Sequence, residues 1–395
     1  EEQVEEGGAL PVYTSSVQIF AYIKNSIKRC TALTSGQTFF NLHKEFKACL
    51  ANYVEILRQK MTTAAGGSKV LPEGAEKDIC YVVNTAEYCS DTVPQLEEMV
   101  KSKIDQPYQD KIELSEEQDM FFDVIAAAIK ALVKGLESQV EGSCRTMGNI
   151  NWGNVEMVGE ENAYVRTINV AVLAYVPNCR AVLSSLYFRN FCDKFAAAFI
   201  PAFLNLVLKQ KRISEEGTQQ LLLDVYNLKK MMLDLPRIGQ AEGEAEISVP
   251  MSYRKYVEKH MTKIEKVLKL VGTPAVMLVE RFRIMWMDGG MKELQMVMSL
   301  KGMKKQEQQT ILETFGGGVA TTAAAAPASS TSSSRAAAGA GGGGGGLKGS
   351  TEKASAGLEK AGAAMGSGVN QAAAMSKKAA AGMKGAMGDL SKAFR

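Results

Sequence analysis

Residues 185–236 read SLYFRNFCDKFAAAFIPAFLNLVLKQKRISEEGTQQLLLDVYNLKKMMLDLP, and this stretch decides the fold. In its first half Phe188, Phe191, Phe195, Phe199 and Phe203 recur every three or four residues, which gathers the rings on one side of a helix. In its second half Leu221, Val225, Leu228, Met232 and Leu235 keep a 4-3-4-3 rhythm suited to a seam against another helix. Between them Lys209, Lys211 and Arg212 fall at the carbonyl end of the first helix, and Ser214 with Glu215 and Glu216 caps the second. A turn this short predicts an antiparallel pair with a wide apolar face left over. Burying five phenylalanines contributes on the order of 8–15 kcal/mol before chain entropy is subtracted, so the pair needs further helices.

The rest of the chain supplies them. Going back to the start, residues 1–12 form an acidic, patternless lead-in. A helix through Phe20, Ile23, Ile27 and Cys30 enters at Thr14 or Ser15, and a stronger one carries Phe39, Leu42, Phe46, Cys49 or Leu50, Tyr53 and Leu57. Thr62–Gly74 has loop composition. A short helix through Ile79, Val82, Val83 and Ala86 then gives way near Asp91-Thr92 to another that starts at Pro94. Ser115 and Gln118 read as a capping box that opens a long helix with Phe122, Ile125, Ile129, Leu132, Leu136 and Val140 on one face, declining at Gly142 and Gly148. Residues 148–159 are the expected boundary between two bundles. Val165, Ile168, Val172 and Tyr175 align in a helix that Pro177 kinks or stops. After Pro236 comes a mobile connection over 238–250, then a helix with Tyr256 or Val257, Met261, Ile264, Val267 or Leu268 and Val271. Ala275–Met287 forms another, and Leu294, Val297, Met298 and Ile311, Leu312, Phe315 mark two short helices around Gly302. Sustained strand alternation is lacking.

The reading is therefore an all-α protein, an elongated rod of two tandem helical bundles over 13–150 and 151–315. From 316 to 395 an Ala/Gly/Ser/Lys tail lacks the apolar content to fold and is expected to be disordered.

Composition narrows the function. There are 46 basic and 43 acidic side chains, so the totals show none of the basic excess of a nucleic-acid binder. Seven cysteines, odd in number and without CxxC spacing, read as reduced thiols in a cytosolic setting, most of them small core residues. Cys80 and Cys89 would lie on opposite sides of one helix. No run of about 18 uninterrupted apolar residues suggests a membrane span. The opening EEQVEEGG has neither a signal-peptide pattern nor an initiating methionine, so the chain reads as a piece of something longer.

Catalytic chemistry finds little support. The only histidines, His43 and His260, sit among charged neighbours and read as solvated, and they and the cysteines assemble no local metal site. A GxGxxG match at Gly339, Gly341 and Gly344 belongs to a run of six glycines with no strand before it. No cofactor, metal or small-molecule substrate is expected. The surface feature with most functional promise is a basic cluster of Lys301, Lys304 and Lys305 followed by Gln308, suited to a partner or an anionic headgroup.

Particular strings then add to the periodicity: LTSGQTFFNL at 33–42, ICYVVNTAEYCSDTVPQLEEMVKSKI at 79–104, LYFRNFCDKFAAAFIPAFLNLV at 186–207, EEGTQQLLLDVYNLKKMMLDLP at 215–236 and LKGMKKQEQQTILETF at 300–315. Together they resemble the C-terminal half of the vacuolar protein sorting-associated protein 53 family, subunits of the Golgi-associated retrograde protein complex and of a related endosomal recycling complex. The resemblance implies a non-enzymatic tethering subunit built as a helical rod. Its other subunits would join through an N-terminal coiled-coil region absent from this sequence. It also implies cooperation with SNARE proteins and small GTPases, and peripheral attachment at the cytosolic face of the trans-Golgi network and endosomes. Two alternatives stay open: an all-α enzyme whose site is assembled from distant residues, and an α-solenoid adaptor, although no repeat of about 40 residues appears.

Overall fold

The computed structural model describes residues 3–4, 10–66, 71–72, 74–240 and 248–317. It begins with two-residue strands, β1 (Gln3–Val4) paired antiparallel to β2 (Val12–Tyr13). Twelve helices follow among the described residues: α1 (Thr14–Thr31), α2 (Gln37–Ala65), α3 (Ala75–Lys101), α4 (Gln106–Gln109), α5 (Ser115–Asn149), α6 (Ala163–Val182), α7 (Ser185–Leu208), α8 (Glu215–Asp234), α9 (Met251–Val271), α10 (Leu278–Met285), α11 (Met291–Leu300) and α12 (Lys305–Gly317). The all-α expectation holds. The tail expected from 316 begins later, since α12 includes Gly316 and Gly317; its part beyond 317, the 241–247 part of the connection and residues 67–70 and 73 of the loop lie outside the described residues.

The centre of the N-terminal half is α3, which touches β2, α1, α2, α5 and α6. Ile79, Cys80, Val83, Ala86, Cys89, Val93 and Leu96 are all buried. Cys80 and Cys89 do lie on opposite sides of α3, and both are inside because no residue from 79 to 90 is exposed, so the middle of this helix is covered all round. The predicted break at Pro94 does not occur, since Pro94 sits within α3. A proline leaves the carbonyl four residues earlier without its helical donor. Here that carbonyl is Ser90, and Gln118 Nε2 donates to it at 3.0 Å from α5.

Gln118 is thus engaged elsewhere, and the predicted capping box is absent. Ser115 Oγ turns to Glu113 Oε1, and Leu114 precedes the helix without a side-chain cap. On α5 the ring that enters the core is Phe121, fully buried, whereas Phe122 is 45% exposed. The face through Ile125, Ile129, Leu132, Leu136 and Val140 continues back to 121 by a four-residue step, not to 122. Gly142 lies well inside α5 without interrupting it, whereas Gly148 falls one residue before its end at Asn149.

Prolines 177 and 201 also lie within helices, α6 and α7. The carbonyls they deprive belong to Leu173 and Ala197, both exposed residues where solvent can serve as donor, and both helices continue.

The five phenylalanines of α7 are buried, with Phe195, Phe199 and Phe203 stacked at 5.6 and 6.1 Å between ring centres. Leu221, Val225, Leu228 and Met232 of α8 are buried too. The expected pairing of these two helices is nevertheless wrong. α7 packs on α5 and α9, while α8 lays its seam chiefly on α9 and partly on α6. The turn between them is tied down elsewhere, through Ile213 N to Leu300 O (2.8 Å) and Ser214 N to Trp152 O (2.9 Å), so α8 leaves α7 at once. Among the described residues α7 alone is long and apolar enough to cross a bilayer, but its phenylalanine face is packed against protein.

The described residues to 317 belong to one contact unit. α5 touches α2 and α3 before residue 150 and α6 and α7 after it, so the packing runs across the expected boundary.

Candidate interaction surface

The basic cluster foreseen near the end of the folded region sits at a corner where four segments meet: the α7–α8 turn, the Trp152–Asn154 turn, the end of α9 and the α11–α12 turn. Each is held by backbone chemistry. Ser214 Oγ accepts from Gly217 N (3.0 Å) as the N-cap of α8 and donates to Trp152 O (3.1 Å). Trp152 is buried, its Nε1 donating to Met147 O at 3.1 Å. A side chain at Gly217 would collide with the Trp152 carbonyl, which explains the glycine one turn into α8.

The α11–α12 turn closes with Gly302 N donating to Ser299 O and Met303 N to Met298 O, the paired bonds of a left-handed helix stop. Gly302 has φ +76°, where a side chain is strained, and a Cβ there would approach Arg212 Cγ and Cδ to 2.9 Å. Gly302 therefore lets the two turns touch.

Of the four predicted contact residues, only two are presented outward. Lys304 and Lys305 are exposed. Lys301 is half-buried, and its Nζ donates to Val271 O at 2.9 Å, placing a cation on the carbonyl end of α9. Burial pushes the Lys301 ammonium below the usual lysine range, and Glu215 pulls it partly back. Gln308 is buried and donates through Nε2 to Met303 O at 2.9 Å. Lys301 and Gln308 thus brace the corner, while Lys304 and Lys305, with exposed Lys209, Lys211 and Arg212, supply its charge.

A second polar constellation went unread in the sequence. Asp224 of α8 is fully buried and accepts from Asn162 N (3.0 Å), Asn162 Nδ2 (2.8 Å) and Tyr164 Oη (2.8 Å). One turn earlier Gln220 accepts from Gly159 N (2.9 Å) and donates to Glu160 O (2.7 Å). The i, i+4 spacing of Gln220 and Asp224 fastens the α5–α6 connection to α8. A carboxylate on the apolar side of a helix was the available signal.

His43 also departs from expectation. It is buried, and neither ring nitrogen has a hydrogen-bond partner. Burial, with Lys47 and Lys44, holds it below the ordinary histidine range against the opposing pull of Glu97, so the ring is neutral and packs near Phe40. His260 is partly exposed against Tyr256. Cys80, Cys89, Cys179 and Cys192 are buried free thiols, and burial pushes Cys144 up to about 11. No group of three metal-ligating side chains occurs among the described residues.

With this geometry in place, comparison with known proteins is informative. Residues 219–303 match the family described as vacuolar protein sorting-associated protein 53 C-terminus. The chain is 36% identical over 322 residues to vacuolar protein sorting-associated protein 53 A of Arabidopsis thaliana, a match covering 79% of this chain and 38% of that protein. It is 25% identical over 327 residues to the vacuolar protein sorting-associated protein 53 homolog of Caenorhabditis elegans, covering 77% of this chain and 40% of that one. The chain thus spans about two fifths of the length of these relatives. Among solved structures, its fold is similar to the C-terminal domain of the exocyst subunit Sec6p, with a TM-score of 0.53 at 11% identity, covering 80% of this chain and 82% of that one.

Proposed function

The chain corresponds to the C-terminal region of the vacuolar protein sorting-associated protein 53 family, and on that premise we propose that it serves as a non-enzymatic subunit of a multisubunit vesicle-tethering complex acting in endosome-to-trans-Golgi retrograde transport. In this reading the stacked helices form a stiff rod, with the 13–150 and 151–315 segments sharing α5. The remaining subunits join through a region beyond this sequence. SNARE proteins and small GTPases meet the rod, which works at the cytosolic face of trans-Golgi and endosomal membranes. The corner carrying Lys304 and Lys305 is the assigned partner contact.

The observation that carries the reading is the shared helical layout with a subunit of another complex, the exocyst, alongside sequence similarity to sorting proteins. The chemistry is compatible with it: the buried acids and thiols serve packing and hydrogen bonding. Affinity purification of the full-length protein is the test. Co-purification of stable tethering subunits is expected, and recovery of the protein alone from gently lysed cells refutes the assignment. Small-angle scattering tests the rod, which a spherical particle would exclude. Lys304→Glu with Lys305→Glu should leave folding intact and slow cargo retrieval; normal retrieval removes the corner as the contact.

A further inference from the structure

The near-neutral total charge conceals a strong polarity. Residues 1–250 hold 25 basic and 33 acidic side chains, whereas residues 251–305 hold 12 basic and five acidic. Two of those five acids are engaged: Glu265 pairs with Lys229 at 2.8 Å, and Glu293 accepts from Gly290 N at 3.0 Å. The basic side chains include an exposed stripe on α9 formed by Lys255, Lys259, Lys263, Lys266 and Lys269. At three- and four-residue steps these ammonium groups share one face of the helix.

Packed against α9 is α10, which hides Leu278 and Phe282 and turns an apolar side outward. Val276 just before it is 94% exposed, Ile284 on it 63% and Met287 just after it 88%. Met277 and Met291 are exposed as well, and Arg281 and Arg283 stand between these tips. Isolated exposed apolar residues need no explanation, but five between 276 and 291 beside a cationic stripe do.

We propose that the α9–α10 surface is a lipid-contact site, with Val276, Ile284 and Met287 entering the headgroup–acyl boundary of an anionic membrane while the α9 lysines and Arg281 hold its phosphates. The charge argues for lipid: the net positive excess needs a dense, delocalised negative partner, which an anionic leaflet offers. Side chains as exposed as Val276 and Met287 stand clear of their neighbours and enter a fluid interface without a matching pocket. The inference deepens the membrane-peripheral part of the proposed function, but the tethering assignment does not depend on it.

The test uses the full chain and flotation with phosphatidylcholine vesicles, with and without phosphatidylserine. Binding is expected only to the anionic vesicles and is expected to weaken with salt. The emission of half-buried Trp286, next to Met287, should shift to the blue, while buried Trp152 contributes a constant signal. A Val276→Ser, Ile284→Ser, Met287→Ser variant should bind about tenfold or more weakly. Lys266→Glu, Lys269→Glu and Arg281→Glu together should weaken binding by at least about fivefold per charge. All six positions are exposed, and an unchanged circular dichroism spectrum confirms that the fold survives. The proposal falls if the native chain ignores anionic vesicles at low salt. It falls equally if the serine variant binds like the native chain, or if the chain floats with no change at Trp286, which would place the contact elsewhere. A protein partner that requires the three apolar tips, with no vesicle binding, would reassign the surface. Companion capture is read separately, so failure here leaves the subunit reading standing.

Discussion

Replacing Asp224 with alanine is the sharpest probe of how α8 is fastened to the chain that precedes α6. The carboxylate is fully buried and accepts three hydrogen bonds of 2.8–3.0 Å. Bonds to a charged acceptor are worth about 1.5–3 kcal/mol each, but they are not additive. Asn162 is half-exposed, so water can replace part of what its two donors lose. Tyr164 is 2% exposed, and its hydroxyl would be stranded at about 1–3 kcal/mol. Adding the loosened connection gives a loss of about 3–4 kcal/mol, within the range for breaking a buried polar network. At about 2–4 °C per kcal/mol for a chain of this size, the melting temperature should fall by about 6–16 °C. Urea unfolding followed by circular dichroism measures the loss, and a cycle with Tyr164→Phe tests its source. Tyr164→Phe should be costly in the native background and nearly silent beside Asp224→Ala, a coupling of about 1–3 kcal/mol. A loss below about 1 kcal/mol, or strictly additive effects, would refute the argument that this network joins the two segments.

Three further outcomes follow from the packing. Leu228→Asp should abolish cooperative unfolding, because a charge at a fully buried seam position has no partner. Tyr226→Asp two residues away, at a 63% exposed position, should change stability by less than about 0.5 kcal/mol; equal effects in thermal melts would mean the faces of α8 are misassigned. Gln118→Ala should cost about 1–2 kcal/mol and speed amide exchange in the middle of α3 by freeing the Ser90 carbonyl; exchange there at the native rate would show that Pro94 needs no such compensation. Burial and nearby Asp91 push Glu87 up to about 7, so its carboxyl is protonated in the fold where the unfolded chain ionises it. Stability should therefore fall as pH rises from about 4.5 to about 7 and level off above, by on the order of 2 kcal/mol. Buried His43 acts in the opposite sense below about 6.5, so the comparison to make is native against Glu87→Gln across that window. Parallel pH profiles for the two proteins would remove Glu87 as the cause.

The helices were legible in the sequence because their apolar periodicity is local, and so were the Ser214 cap and the Gly302 stop. What failed was pairing and interruption. Nothing within residues 185–236 tells α8 to seek α9, because the seam at Leu221, Val225 and Leu228 suits any helix with a matching stripe. The decision rests on backbone bonds from the turn to Trp152 and Leu300, which are 62 and 87 residues away in the chain. Pro94 and Pro177 misled in the same way: whether a proline ends a helix depends on what meets the carbonyl it frees. For Pro94 it is Gln118, and for Pro177 the freed carbonyl belongs to Leu173, an exposed residue open to solvent. The foreseen surface cluster lost Lys301 and Gln308 to structural bonds, since exposure at a helix corner depends on the element crossing it.

The same limit explains why a balanced total charge misread the surface. Solvated charge is priced by its immediate surroundings within a screening length of about 8–10 Å, not by the sum over the chain. An acidic excess before residue 250 does nothing to neutralise lysines on α9 unless the fold brings the two together. The ion pair that reaches α9 from α8 runs the other way: Lys229 takes up Glu265, an acid of α9, and so neutralises no lysine of the stripe. The exposed lysines therefore keep their local potential. Of the apolar tips beside them, Ile284 lies on α10 and Val276 and Met287 flank it; α10 is anchored through Leu278 and Phe282 and cannot turn Ile284 inward without exposing those two instead. Each of the two features is unfavourable to leave facing water or like charge, and one anionic, deformable surface would relieve both.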